Sequence, residues 1–350
     1  MKINRDSFLL FAALALAGVL IVFSSDAKEG ALYGAALSGR VIIPSLLPLL
    51  IIFNFIQHSA AGRALENILS PVTCKVLRLP KCAGSALFLG LIGGYPSGAL
   101  LTANLYRNGD IDSNCAKRLL RFDFSGGAGF IITALGTGIL KSKQQGIILF
   151  ASVTAAALIS SLLCGFIWGK TEEGESSFLS LTPAQALNKS VEQSTRSVIN
   201  MTAYIMLFCA VQGNLPLPEF LLPLIEITSG AAQCAPNLPL FITAFYLAFG
   251  GLCIHLQIYT IIKETGMKYT DFLLWRVING IISSAVCAAL IHFFPSGSEV
   301  FSNYSETIVR PTSVNAALSV LMLLGCAVLI FDLENRKENA EKSRPHKRAA

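Results

Sequence analysis

The residues of this chain that could do chemistry are few, and most stand beside breaks in apolar segments. Glu226 lies in Leu222-Pro-Leu-Ile-Glu-Ile-Thr-Ser-Gly-Ala-Ala-Gln233, with apolar neighbours on both sides. A carboxylate at membrane depth costs roughly 2.5 to 3.5 kcal/mol on insertion scales, so one retained there has a partner or a task. The task would be to bind a proton or cation that couples transport, or a donor on a substrate. The structural alternative is a cap that accepts helix-start N–H groups. An ionised Glu226 would repel a dianion, which favours coupling over direct anion contact. His255 and Gln257 follow a glycine pair in Ala248-Phe-Gly-Gly-Leu-Cys-Ile-His-Leu-Gln257 and would line a cavity if the backbone there is irregular; a buried, satisfied histidine is the plainer reading. Ser97, Ser125, Thr228 and Ser229 are small hydroxyl donors at expected helix starts, and Asp123 is read equally as a cap or as a site group.

These side chains need irregular backbone to present them. Gly90-Leu-Ile-Gly-Gly-Tyr-Pro-Ser-Gly-Ala99 breaks an otherwise apolar run, and its core, Gly93, Gly94, Tyr95, Pro96, Ser97 and Gly98, holds three glycines and a proline in six residues. An unpaired backbone N–H or C=O in lipid costs several kcal/mol, so such a break persists only where protein or a water-lined cavity satisfies it. A second break, Asp123-Phe-Ser-Gly-Gly-Ala-Gly-Phe130, contains Ser125, Gly126 and Gly127. Tight helix packing through small residues explains the glycines but not the Tyr95-Pro96 pair.

Composition sets the class. The 350 residues are 53% hydrophobic and only 14% charged, with a mean hydropathy of +0.61, far from the roughly 25% charged residues of soluble domains. The chain reads as an all-α polytopic membrane protein. Uninterrupted spans are expected at Phe8–Ser24, Val41–Ile56, Gln145–Trp168, Val198–Val211, Val277–Phe294 and Ser313–Leu333, and interrupted ones at Ala83–Tyr106, Phe124–Leu140 and Phe220–Lys263. The first is read as a retained anchor, since its apolar run exceeds that of a signal peptide. Nine scattered cysteines suggest apolar fillers. No Ser-His-Asp arrangement, phosphate loop or zinc spacing appears, so neither enzymatic activity nor a cofactor or metal is expected. The basic tail after Asp332 reads as a cytoplasmic end that at most attracts membrane lipid, with no support for nucleic-acid binding.

The two halves also share an order of events. Leu91-Ile92 followed by Ser97-Gly-Ala99 corresponds to Leu224-Ile225 followed by Ser229-Gly230-Ala231; each is preceded by a span and followed by a phenylalanine with a glycine pair, Phe124 with Gly126-Gly127 and Phe249 with Gly250-Gly251. If the broken segments near 83–106 and 220–237 are re-entrant hairpins, each half has three crossings and the second is inverted. Most of the 27 lysines and arginines then fall on the cytoplasmic side, leaving only Lys28, Arg40, Lys141, Lys143 and Arg310 outside. The expected architecture is about eight spanning helices plus two re-entrant hairpins in two inverted-topology repeats, with both termini cytoplasmic. Residues 1–39 form the anchor and external segment, 40–169 the first repeat, 170–196 an amphipathic linker, 197–263 the core of the second repeat, 264–333 the C-terminal spans and 334–350 a charged tail. In such transporters half-helix N-termini and unwound carbonyls build the substrate site.

Four motifs carry a family resemblance: Leu89-Gly-Leu-Ile-Gly-Gly-Tyr-Pro-Ser-Gly-Ala99, Ile43-Pro-Ser-Leu-Leu-Pro48, Ile225-Glu-Ile-Thr-Ser-Gly230 and Phe249-Gly-Gly-Leu-Cys-Ile-His-Leu-Gln257. In this order, from about Arg40 to Gln257, they resemble the YlbJ-like sporulation integral membrane protein family with its nucleoside-recognition or Gate domain. The resemblance implies a bacterial inner-membrane protein that moves a small anion such as dipicolinate during sporulation, the nucleoside label resting on the domain's name. A non-transporting scaffold of spore-envelope assembly is the competing class. Where the family usually shows a Cys-Asn-Asn-Ser-Gly-Pro-like stretch, this chain has Phe122-Asp-Phe-Ser-Gly-Gly127, which removes two amides and adds a carboxylate. The expected site lies between the two hairpins.

Overall fold

A computed structural model describes residues 5–171, 181–213 and 218–294. The expected span Ser313–Leu333, the charged tail and the acidic stretch Glu172-Glu-Gly-Glu175 lie outside the described residues. Among the described residues the chain is all-helical. Helix α1 covers Arg5–Val22; α2 (Ser24–Leu37) runs through a wide-wound turn at Ser38–Ile42 into α3 (Ile43–His58). The wide turn sits just ahead of Pro44, which has no amide to offer the Arg40 carbonyl within it. Residues 31–39, the end of the expected anchor and external segment, are part of a 35-residue apolar helical stretch from Ser24 to His58.

Ser59 caps α4 (Ala60–Ser70), accepting from the Ala61 amide at 3.3 Å. Next come α5 (Ala83–Gly93) and α6 (Ser97–Arg107), which pack together as a hairpin, then α7 (Ser113–Phe122), capped by Asp112 accepting from the Cys115 amide at 2.7 Å. A wide-wound helix at Gly129–Ile139 and the long α8 (Lys143–Trp168) close the first half.

Helix α9 (Pro183–Gln212) begins with a capping box between Thr182 and Gln185. It does not stop at residue 196. Its polar first half continues the span because those side chains have partners on α3: Asn54 donates to Ser194 Oγ at 2.9 Å, and His58 bonds Gln193 at 2.9 Å. A second hairpin, α10 (Leu222–Ile225) and α11 (Ile227–Cys234), precedes α12 (Leu240–Phe249), α13 (Gly251–Glu264) and α14 (Tyr269–Phe293).

Among the described residues five helical stretches are long and apolar enough to cross a membrane: Ser24–His58, Lys143–Trp168, Pro183–Gln212, Leu240–Glu264 and Tyr269–Phe293. Apolar side chains such as Ile21, Val22, Phe166 and Phe293 are exposed on the outside of the bundle, as expected of surfaces that face lipid. Helices α2 and α3 pack on α9, while α14 joins α8 to α12. One difference from the sequence reading bears on the centre. Arg276 was expected at the head of a span beginning at Val277, yet α14 starts at Tyr269, which carries Arg276 two turns into the helix and fully buries it.

Candidate functional site

Four chain breaks meet in pairs. At the tip of the first hairpin, α5 ends at Gly93, Gly94 adopts φ +79° and ψ −174°, a cis Tyr95-Pro96 bond follows, and α6 begins at Ser97. That tip rests on the break between α7 and the wide-wound helix, where the Tyr95 amide donates to the Ser125 carbonyl at 2.7 Å. The contact is backbone against backbone: a Cβ on Gly94 would lie 2.0 Å from the Gly127 nitrogen, and one on Gly127 would lie 2.3 Å from the Gly93 carbonyl oxygen. No other residue type fits there. Ser97 uses its hydroxyl to bond the Gly94 carbonyl within the same turn.

The second hairpin repeats the scheme. Glu226 separates α10 from α11, Gly230 packs on the Pro223 backbone, and the break at Gly250-Gly251 rests against it, with a Cβ on Gly251 only 2.8 Å from the Pro223 carbonyl oxygen. Gln212 at the end of α9 ties this hairpin down. It donates to the Leu222 carbonyl at 2.9 Å and accepts from Ser229 Oγ at 2.9 Å.

Between the two hairpins is a small, partly open cavity of about 20 Å³, room for about one water. The first half contributes Gly93, Tyr95 and Gly127, the second Thr228. Apolar walls come from Ile42 and Leu46 at the start of α3, Phe130, Met201 of α9 and Ile254 of α13. These wall residues were not among the sequence candidates, since nothing in an apolar helix marks one aliphatic side chain as facing a cavity. The Tyr95 hydroxyl and Ser125 Oγ are buried without a hydrogen-bond partner, so polar capacity near the cavity is uncommitted. The other candidates, Pro96, Ser97, Gly98, Gly126, Ser229 and Gly230, shape the two breaks behind this lining.

Three candidates take other positions. Glu226, fully buried, accepts from the Thr228 amide at 2.9 Å and the Ser229 amide at 2.5 Å. It is the N-cap of α11, so the amides of this helix start already have an acceptor supplied by the chain. His255 has both ring nitrogens engaged, Nε2 with the Phe249 carbonyl at 2.8 Å and Nδ1 with the Tyr269 hydroxyl at 3.1 Å. A carbonyl only accepts, so Nε2 carries the proton and Nδ1 accepts from Tyr269. The ring packs among Phe124, Phe249 and Phe272 as a satisfied core histidine. Gln257 is half-buried and bonds Cys253 of its own helix at 3.5 Å.

Asp123 gains what Glu226 lacks. It is 1% exposed, and neither carboxylate oxygen has a hydrogen-bond donor. It lies against Gly90 and against Gly98 in the first turn of α6, a helix that no side chain caps. Arg276 is the cation whose charge acts on it. That guanidinium donates to the Phe124 and Arg121 carbonyls and lies 4.9 Å from the centre of the Phe124 ring, while its Nε has no partner. Arg276 thus holds the first break from α14. The signal available in the sequence was one arginine inside an apolar helix.

No family model and no solved structure matches the chain. A curated protein of Bacillus subtilis (strain 168), the sporulation integral membrane protein YlbJ, is 23% identical over 341 positions, covering 81% of this chain and 83% of that protein. The chain resembles the YlbJ-like family. The aligned share takes in far more than one hairpin, so the likeness concerns the helical membrane body as a whole. An integral membrane location follows from both the relative and the apolar helices.

Proposed function

We propose that this chain transports a small anionic metabolite, dipicolinate-like in chemistry, across the bacterial inner membrane during sporulation. The observation that carries the reading is the pairing of two broken hairpins, each seated on a second break, around one cavity lined from both halves. Matched breaks of this kind end helices inside the body of a membrane protein, where a transporter uses them and a scaffold has no need of them. The two halves act as inverted repeats, with the hairpins re-entrant and the long helices crossing.

A cavity of about 20 Å³ excludes an aromatic dicarboxylate, so passage requires the hairpins to separate. The uncapped start of α6 and the free hydroxyls of Tyr95 and Ser125 are the donors offered to the substrate, whereas Glu226 fixes the second break. Asp123 is the carboxylate with bonding capacity left, and it takes the coupling role, binding a proton or cation beside the first hairpin. Transport proceeds without a cofactor.

Flux of labelled dipicolinate into proteoliposomes tests the reading, with labelled nucleoside as the parallel arm. Dipicolinate flux supports it, and nucleoside flux alone replaces the substrate while keeping the transporter. Absence of both, with Tyr95→Phe and wild type indistinguishable in sporulating cells, sinks it in favour of a scaffold.

A further inference from the structure

Away from the central cavity, a pocket of about 430 Å³ opens where α7 meets the end of α8. Four cationic side chains line it, Lys117, Arg118, Arg121 and Lys170, against one carboxylate, Asp112. Asp112 is committed to capping α7 through the Cys115 amide. Arg118 builds the wall. Almost fully buried, it donates to the Gly169 carbonyl at the end of α8 at 2.7 Å, and to the Arg78 carbonyl at 3.0 Å and the Leu77 carbonyl in the segment after α4. Arg121 is held by Asp271 at 2.6 Å and by the Trp168 ring, whose centre is 4.1 Å from its guanidinium carbon. The Nε atoms of both arginines are buried without a partner. Lys117 and Lys170 have no carboxylate partner among the described residues.

The surroundings point to the kind of anion. Trp168 ends a membrane-length helix, where tryptophan sits at the headgroup level, and next to it Phe166 is 73% and Ile167 62% exposed. A ligand with an oxyanion joined to apolar tails satisfies both surfaces at once. We propose that this pocket binds the phosphate of an anionic phospholipid headgroup, with Lys117 and Lys170 as the mobile contacts and Arg118 and Arg121 as the fixed positive wall. The alternative source of the same chemistry is free phosphate. The acidic Glu172-Glu-Gly-Glu175, which follows Thr171 in the chain, is the competing occupant.

Thermal melting of the full chain in detergent distinguishes these. Added phosphatidylglycerol is expected to raise the melting temperature, phosphatidylcholine not, and the double variant Lys117→Gln/Lys170→Gln to bind phosphatidylglycerol about 30-fold more weakly. The Lys117→Arg/Lys170→Arg variant is expected to retain binding, which separates charge from folding damage. Inorganic phosphate that competes with the lipid supports the oxyanion site and adds free phosphate as a ligand. Equal shifts from both lipids, or a phosphatidylglycerol shift unchanged in the Gln variant, overturn the proposal. So does binding that appears only in Glu172→Gln/Glu173→Gln/Glu175→Gln, since the chain's own acids would then occupy the pocket.

Discussion

Each hairpin has a buried carboxylate at the first turn of its second arm, and the two are bonded in opposite ways. Glu226 comes from within its own hairpin and caps α11 with two amide bonds; Asp123 comes from the facing break, lies beside the first turn of α6 and receives no hydrogen bond. A capping carboxylate accepts its donors at the geometry the helix start provides and has little left to exchange. A carboxylate without donors, in contact with backbone and near one arginine, is held at a cost that only a task or a partner offsets. The difference teaches that depth in the membrane does not by itself mark a working group: bonding state does.

The largest expected effect comes from the seat of the first hairpin. Gly94→Ala places a methyl where the Gly127 nitrogen stands, in a backbone region open essentially to glycine alone. It is expected to cost about 3 kcal/mol or more, read as loss of the monodisperse peak in size-exclusion chromatography. Gly18→Ala, with open space around it, should leave the peak intact.

Arg276→Gln removes the donor to the Phe124 carbonyl and leaves Asp123 without its cation, an expected destabilisation of about 3 kcal/mol. Its cost should fall by about 1 kcal/mol when Asp123→Asn is also present. Additivity of the two changes in thermal melts would show that they do not act on one another.

Glu226→Ala should lower stability by about 2 kcal/mol through loss of both cap bonds. Asp123→Asn loses no hydrogen bond but takes from buried Arg276 its facing charge, and is expected to lower stability by about 1 kcal/mol while reducing flux. A melting profile in which the Asn variant falls further than the Ala variant reverses the contrast between the hairpins.

Much of the frame was legible in residue types. Gly93-Gly94, Gly126-Gly127, Glu226 and Gly250-Gly251 all mark real breaks, the glycine pairs because they weaken helical bonding and Glu226 because it caps the next helix. The capping alternative for Glu226 was legible too, since Thr228 and Ser229 stand at the spacing whose amides a cap accepts. The polar start of α9 misled because its partners Asn54 and His58 lie well over a hundred residues earlier in the chain. For His255 the sequence left two readings open: whether its second nitrogen faces a cavity or the Tyr269 hydroxyl depends on how α13 turns onto α14.

Composition and spacing by themselves determined that the chain is helical, that it belongs in a membrane and where its helices must break, because each of these follows from local bonding and from transfer of side chains into an apolar medium. Only the tertiary structure decided which breaks face each other, that Arg276 on α14 braces a carbonyl 152 residues away, and that Asp123, not Glu226, is left without a hydrogen-bond donor. A carboxylate's partners come from whichever elements pack around it. Packing across half the chain is not written in any one stretch of it.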